Sequence, residues 1–184
     1  MIATVSSTTM GSCFFHAETK EVPVVIDAFP NPRQPSISEI DKKTIKERDV
    51  MVETHRYEPL KDLTQREKDL VARCIYHESR GESQTGQIAV CEVIFNRVLS
   101  CVYPNTIEEV LFQYNGKFYQ FSCAPYLLSE PIMEPDSFEA AKAVQEYVLS
   151  EEYAPVLPSD YLYFSTGKPA NHDYIKIGNH YFWR

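Results

Sequence analysis

The sequence predicts an α+β fold in which helices come first and β-hairpins last. Three observations carry this. From Leu63 to Leu99 apolar residues recur at helical offsets behind a capping signal. Asp136 to Leu149 is a second amphipathic region of helical period. After Tyr161 the spacing changes to strand-like alternation, with Gly178-Asn179 set between two short apolar runs.

Taken in order, residues 1–60 read as an extended N-terminal arm. Five of the twelve prolines fall here (Pro23, Pro30, Pro32, Pro35, Pro59), and AFPNPRQPS suits neither a helix nor a central strand. A short charged helix is expected at Ser38 to Met51. The compact domain is expected over residues 61–184. Its first helix follows Thr64, with Glu67 three residues on completing a capping box, and stops before Gly81. The next, Thr85 to Leu99, is apolar nearly all round and should be surrounded by protein. Thr106 and Glu109 repeat the capping pattern before a short helix. Asn115-Gly116, flanked by aromatic residues, predicts a hairpin. Asp136 is the expected N-cap of the later helix, with Glu139 at its third position. Tyr161 to Ser165, Ile175 to Ile177 and His180 to Trp183 are the expected strands.

Composition narrows the function. A hydrophobic content of 43% and a charged content of 24% are those of an ordinary globular domain. A net charge of −8 argues against nucleic acid, which is bound through clustered Lys and Arg. No apolar run approaches the ~20 residues of a membrane span, and the N-terminus lacks the basic and apolar regions of a secretory signal. Five cysteines without a C-x-x-C pair read as small thiols rather than as disulfides or a metal site. Neither a metal nor a cofactor is expected.

The chemistry centres on Glu78. It shares a helix face with Val71, Cys74 and Ile75 and falls in the last turn, which places a carboxyl among apolar neighbours at the rim of a cleft. An apolar surround favours the protonated form of a carboxyl, the state a general acid needs. Glu82 is the nearby second carboxylate, read as structural and bonded to Arg80 or a loop amide. Gln87, Ser122 and Tyr163 are candidates to hydrogen-bond sugar or to position the glutamate. His77-Glu78 begins an H-E-x-x-H pattern, but position 81 is Gly, so the zinc-protease motif is absent. A Cys–His amidase lacks a recognisable nucleophile context.

The stretch Ala72 to Val98 (ARCIYHESRGESQTGQIAVCEVIFNRV) resembles the signature of the SleB/CwlJ family of bacterial cell-wall hydrolases. Its elements are Tyr76, Glu78, Arg80, Gly81 and Glu82, then Gly86 to Val90, then Asn96-Arg97-Val98. Ser79 stands where the family usually has alanine. The likeness continues through Tyr103 to Ile107, Gln120-Phe121-Ser122, Leu162-Tyr163-Phe164 and Ile177 to Phe182. The Asn115-Gly116 turn looks longer than the family's usual connection. The resemblance implies a lysozyme-like helical domain that acts on peptidoglycan glycan strands. It implies a lytic transglycosylase in which Glu78 is first acid and then base, giving 1,6-anhydro products. With no signal recognised, a phage lysin or a tail-carried enzyme docked on tail proteins through residues 1–60 is the expected setting. The competing reading is a structural or adaptor protein of a virion with an inactive wall-hydrolase domain.

Overall fold

The structure, a computed structural model, describes residues 56–184. The helix expected at Ser38 to Met51, Cys13 and most of the N-terminal arm lie outside the described residues. Four helices and a three-stranded antiparallel sheet make an α+β domain: α1 (Gln65–Ser79), α2 (Gln84–Leu99), α3 (Ile107–Leu111), α4 (Pro135–Val148), β1 (Tyr163–Ser165), β2 (Tyr174–Ile177) and β3 (His180–Trp183). Helices α1, α2 and α4 pack on one another, α3 sits against the first two, and the sheet leans on α2. No described helix is long and apolar enough to cross a membrane.

α1 begins as its sequence dictates. The Thr64 hydroxyl accepts from the Glu67 amide at 3.3 Å, and the Glu67 carboxylate accepts from the Thr64 amide at 2.8 Å. Leu70, Val71, Cys74 and Ile75 are buried on its inner face. Ser79, also buried, donates to the Ile75 carbonyl at 2.8 Å, so a hydroxyl is accommodated there without an unmet hydrogen bond. α2 is the central helix: every residue from Gly86 to Val98 is buried, as its all-round apolar pattern predicts.

That burial takes in four polar side chains, Gln87, Glu92, Asn96 and Arg97, and each has partners. Glu92 accepts from the Tyr153 hydroxyl and from the Val156 and Leu157 amides at 2.8 and 2.7 Å, with the Arg56 guanidinium 3.4 Å away. Asn96 accepts from the Tyr57 hydroxyl at 2.7 Å and donates to the carbonyls of Pro158 and Tyr161. The packed unit therefore reaches back to Arg56, rather than starting at residue 61 as the prolines suggested. Tyr57 and Leu60 are buried, and Pro59 lies in a short 3-10 turn, Glu58–Leu60, where its fixed φ is welcome.

Three expected details change. The cap of α4 is Glu134 rather than Asp136, because Pro135 fills the first helical position, where no N–H is needed. Asn115-Gly116 turns the chain, with Gly116 at φ +89°, but only the single Tyr114–Tyr119 bridge forms and no strands extend from it. β1 begins at Tyr163 because the Tyr161 and Leu162 carbonyls are taken by Asn96 and Arg97 of α2. The Gly178-Asn179 hairpin forms as expected: Ile177 pairs with His180, and Gly178 has φ +56°. The sheet order is β1-β3-β2, with Phe182 of β3 fully buried against the helices.

Candidate active site

Glu78 sits in the last turn of α1, half-buried, where the segment Phe121–Cys123 crosses the helix end. Its Oε1 accepts from the Ser122 hydroxyl at 2.9 Å and from the Cys123 amide at 3.1 Å. Its Oε2 has no hydrogen-bond donor among the described residues. The surround is thus apolar below, from Cys74 and Ile75, and polar above, rather than apolar throughout as the helix face suggested. One oxygen is held by two donors and the other meets none among the described residues.

The crossing segment is held on both sides of Ser122. Cys123 is buried with its sulfur 3.7 Å from that of Cys74, one helical turn below Glu78, and both are free thiols. Burial pushes the Cys74 thiol well up, as it does that of Cys91. Phe121 is buried against the Arg97 guanidinium, 4.8 Å from the ring centre, and against Phe164. Arg97 donates to the Leu162 carbonyl at 2.7 Å and also lies over Tyr103, so it ties the crossing segment to the start of β1. Its burial lowers its pKa.

Glu82 has a different setting. Its carboxylate accepts from the Asn179 amide at 3.1 Å and from the Asn179 side chain at 2.9 Å, with His180 Nδ1 3.9 Å away. Desolvation opposes its ionisation, but the two Asn179 bonds and His180 outweigh that and hold the carboxyl below its usual pKa. A Cβ on Gly178 would come within 1.9 Å of Glu82 Oε2, so only glycine lets the turn close on this carboxylate. Glu82 therefore fastens the β2–β3 turn to the α1–α2 connection through a loop amide, one of the two partners expected; Arg80 instead pairs with Glu134 at 3.1 Å.

Of the other expected contacts, Ser122 is at Glu78. Gln87 is buried and donates to the Glu82 carbonyl at 3.3 Å, supporting the same connection. Tyr163 is partly exposed on β1, stacked on Trp183 with ring centres 5.7 Å apart and within reach of Arg97. Two groups were not foreseen. One is the Cys123 amide, a backbone donor that no side-chain pattern announces. The other is Tyr126, exposed, with its ring edge-on to His77 at 5.7 Å. Partial burial, then the Cys123 thiol and Glu78, raise its phenol pKa. The only sequence clue to Tyr126 is its place four residues after Ser122. A cavity of about 370 Å³ lies elsewhere, lined by Arg56, Tyr57, Asn96 and Asp160 among others, and shares no residue with this cluster.

Comparison with known proteins agrees with this architecture. The catalytic domain of the germination-specific lytic transglycosylase SleB from Bacillus anthracis superposes with a TM-score of 0.51 at 28% identity, covering 67% of this chain and 98% of that one. The catalytic domain of the Bacillus cereus SleB protein gives 0.51 and 29%, covering 66% and 91%. A spore cortex-lytic enzyme of Bacillus cereus is 48% identical over 50 residues, which is 27% of this chain and 19% of that protein. One from Bacillus subtilis is 43% identical over 44 residues. The chain thus matches less than a fifth of the length of these curated relatives. The family model described as Cell Wall Hydrolase matches residues 81–183, beginning three residues after Glu78 and ending in β3. On that match the chain belongs to the cell wall hydrolase family.

Proposed function

We propose that this chain cleaves the MurNAc–GlcNAc β-1,4 bond of peptidoglycan as a lytic transglycosylase, with Glu78 as its catalytic acid and base. The observation that carries the reading is the one-sided hold on Glu78: Ser122 and Cys123 both bind Oε1, and no described residue donates to Oε2. Protonated, Glu78 gives its proton to the leaving glycosidic oxygen. As carboxylate, it takes the proton of the muramic acid C6 hydroxyl, which closes a 1,6-anhydro ring on the oxocarbenium-like carbon. A hydrolase of the usual kind needs a second carboxylate to activate water or attack the sugar. Glu82 is committed to Asn179, which favours internal capture. Glu78→Gln keeps the shape and removes the proton. Digestion of purified sacculi should fall by at least ~10²-fold, the scale of lost general acid catalysis. Wild-type products should be ~18 Da lighter than those of a hydrolase because no water is added. Normal digestion by folded Glu78→Gln protein would overturn the assignment, and reducing muramic termini alone would make the enzyme a muramidase.

We assign delivery to a phage particle, with the part of the expected 1–60 arm that precedes Arg56 docking on tail proteins. The support is the proline-interrupted composition of that segment. A chain begun at Arg56 should keep its activity on sacculi yet fail to join particles that the full chain enters. Equal incorporation of both would move the docking surface to the catalytic domain.

A further inference from the structure

We propose that the turn centred on Asn115-Gly116 is a second glycan contact, an aromatic platform built from Tyr114 and Tyr119 with Phe118 at its tip, resting on the peptidoglycan reading above. The three side chains are 54%, 41% and 61% exposed, an unusual concentration of open aromatic surface within six residues. Tyr114 and Tyr119 face each other across the single bridge, so their side chains project from the same side. Their ring centres are 5.0 Å apart and the planes are inclined by 50°, a wedge rather than a stack, which keeps ring faces open to solvent.

The support under these rings is stiff. Asn115 Oδ1 accepts from the Lys117 and Phe118 amides at 3.0 and 2.8 Å. The Asn115 amide donates to the Phe118 carbonyl, and the Gln120 amide donates to the Gln113 carbonyl, both at 3.0 Å. Gly116 supplies the left-handed φ of +89° that the turn requires. A turn with this many internal bonds presents its rings in one arrangement, which lowers the ordering cost of binding.

Position identifies the occupant. The chain passes from Tyr119 through Gln120 and Phe121 directly to Ser122, the donor to Glu78. Three peptide steps limit the Tyr119–Ser122 Cα separation to about 11 Å, so a polymer seated at Glu78 has its neighbouring sugars beside this turn. Pyranose rings carry apolar C–H faces edged by hydroxyls. Aromatic faces flanked by Asn115 and Gln120 amides match both parts of that chemistry. The turn's only charge is Lys117, whose ammonium lies 5.1 Å from the Phe118 ring centre and suits the carboxylates of the wall polymer.

The test uses the full chain carrying Glu78→Gln, so that bound strands stay intact, sedimented with purified sacculi. Adding Tyr114→Ala and Tyr119→Ala should weaken binding about tenfold or more, since two aromatic contacts are lost together. Tyr114→Phe with Tyr119→Phe keeps both ring faces and should restore binding. Thermal melts of all variants establish that each is folded. An Ala pair that sediments like its parent overturns the platform, and so does a Phe pair as weak as the Ala pair. If light scattering shows the parent to be an oligomer that the Ala pair dissolves while sacculus binding holds, the patch belongs to a second copy of the chain and the platform is overturned. Cleavage of sacculi by the otherwise wild-type enzyme judges the Glu78 reading separately, so either idea can fail alone.

Discussion

Replacing Glu92 with alanine should be among the most damaging single changes in this protein, although Glu92 shares no hydrogen-bond partner with Glu78. Its side chain is fully buried and gathers the Tyr153 hydroxyl, two backbone amides and the Arg56 guanidinium. Removal leaves three hydrogen-bond donors without an acceptor, each costing about 1–3 kcal/mol. The cavity left by the longer side chain can admit water, which favours the low end of that range, about 3 kcal/mol in all. Loss of the 3.4 Å ion pair with Arg56 adds about 1 kcal/mol more, for a total of about 4 kcal/mol. For a domain of this size that is a fall in Tm of roughly 10–20 °C, out of a total stability of about 5–15 kcal/mol. The assay is thermal unfolding of the full chain, followed by circular dichroism, for wild type, Glu92→Ala, Arg56→Ala and the double variant. Arg56 also donates to the Leu157 carbonyl and Tyr153 hydroxyl at 2.9 and 2.8 Å, so its loss alone is costly. The double variant should lose less than the sum, by about 1 kcal/mol or more, as contacting partners do. A Glu92→Ala protein melting within about 3 °C of wild type, or strictly additive losses, would refute the view that this network closes the fold.

Three further outcomes follow from the same coordinates. Ser122→Ala removes one of the two donors on Glu78 Oε1, and kcat on sacculi should fall about tenfold with little change in Tm, the scale of one partly exposed hydrogen bond to a charged group. Tyr126→Ala should raise KM several-fold where Tyr126→Phe, which keeps the exposed ring, does so far less; equal behaviour of the two would make the hydroxyl the active part. Glu82 has a depressed pKa in the fold, so its contribution to stability is present above its unfolded value near 4.5 and is lost as pH falls through the folded one. The Tm gap between wild type and Glu82→Gln should therefore hold from about pH 6 down to about pH 5 and shrink as the pH falls further, and a gap that widens on acidification would contradict the Asn179 clamp.

Much of this fold is legible locally. Thr64 with Glu67, Thr106 with Glu109, and Gly178 with Asn179 each form the cap or turn their residue types dictate, because all the partners lie within a few positions in sequence. What is not legible locally depends on distant chain. Pro135 displaced the expected cap by claiming the first turn of α4. Asn115-Gly116 has the chemistry of a hairpin but no neighbouring strand to extend it, so the turn survives and the ladder does not. Residues 56–60 carry the proline of an arm, yet Arg56 and Tyr57 find Glu92 and Asn96 on a helix more than thirty positions away. A lone glutamate in the apolar run of α2 was the available hint: a helix buried all round cannot leave a carboxylate unpartnered.

Glu78 and Glu82 show why the site was only partly readable. Both belong to one short motif near the end of α1, where the sequence points to Glu78 for chemistry and to Glu82 as structural but shows the partners of neither. Their roles are separated by segments about 40 and 100 residues further on. The crossing at Ser122 and Cys123 reaches Glu78 on one oxygen and fixes its direction. The hairpin at Asn179 engages both oxygens of Glu82, and Gly178 lets that turn approach so closely that no side chain fits between. A carboxyl that moves protons must keep an oxygen for its substrate, whereas one that fastens a turn must give both away. Exchanging the roles would require moving the β2–β3 hairpin, not merely substituting one glutamate, and for that reason the carboxylate whose protein bonds all fall on one oxygen is the one assigned to the chemistry.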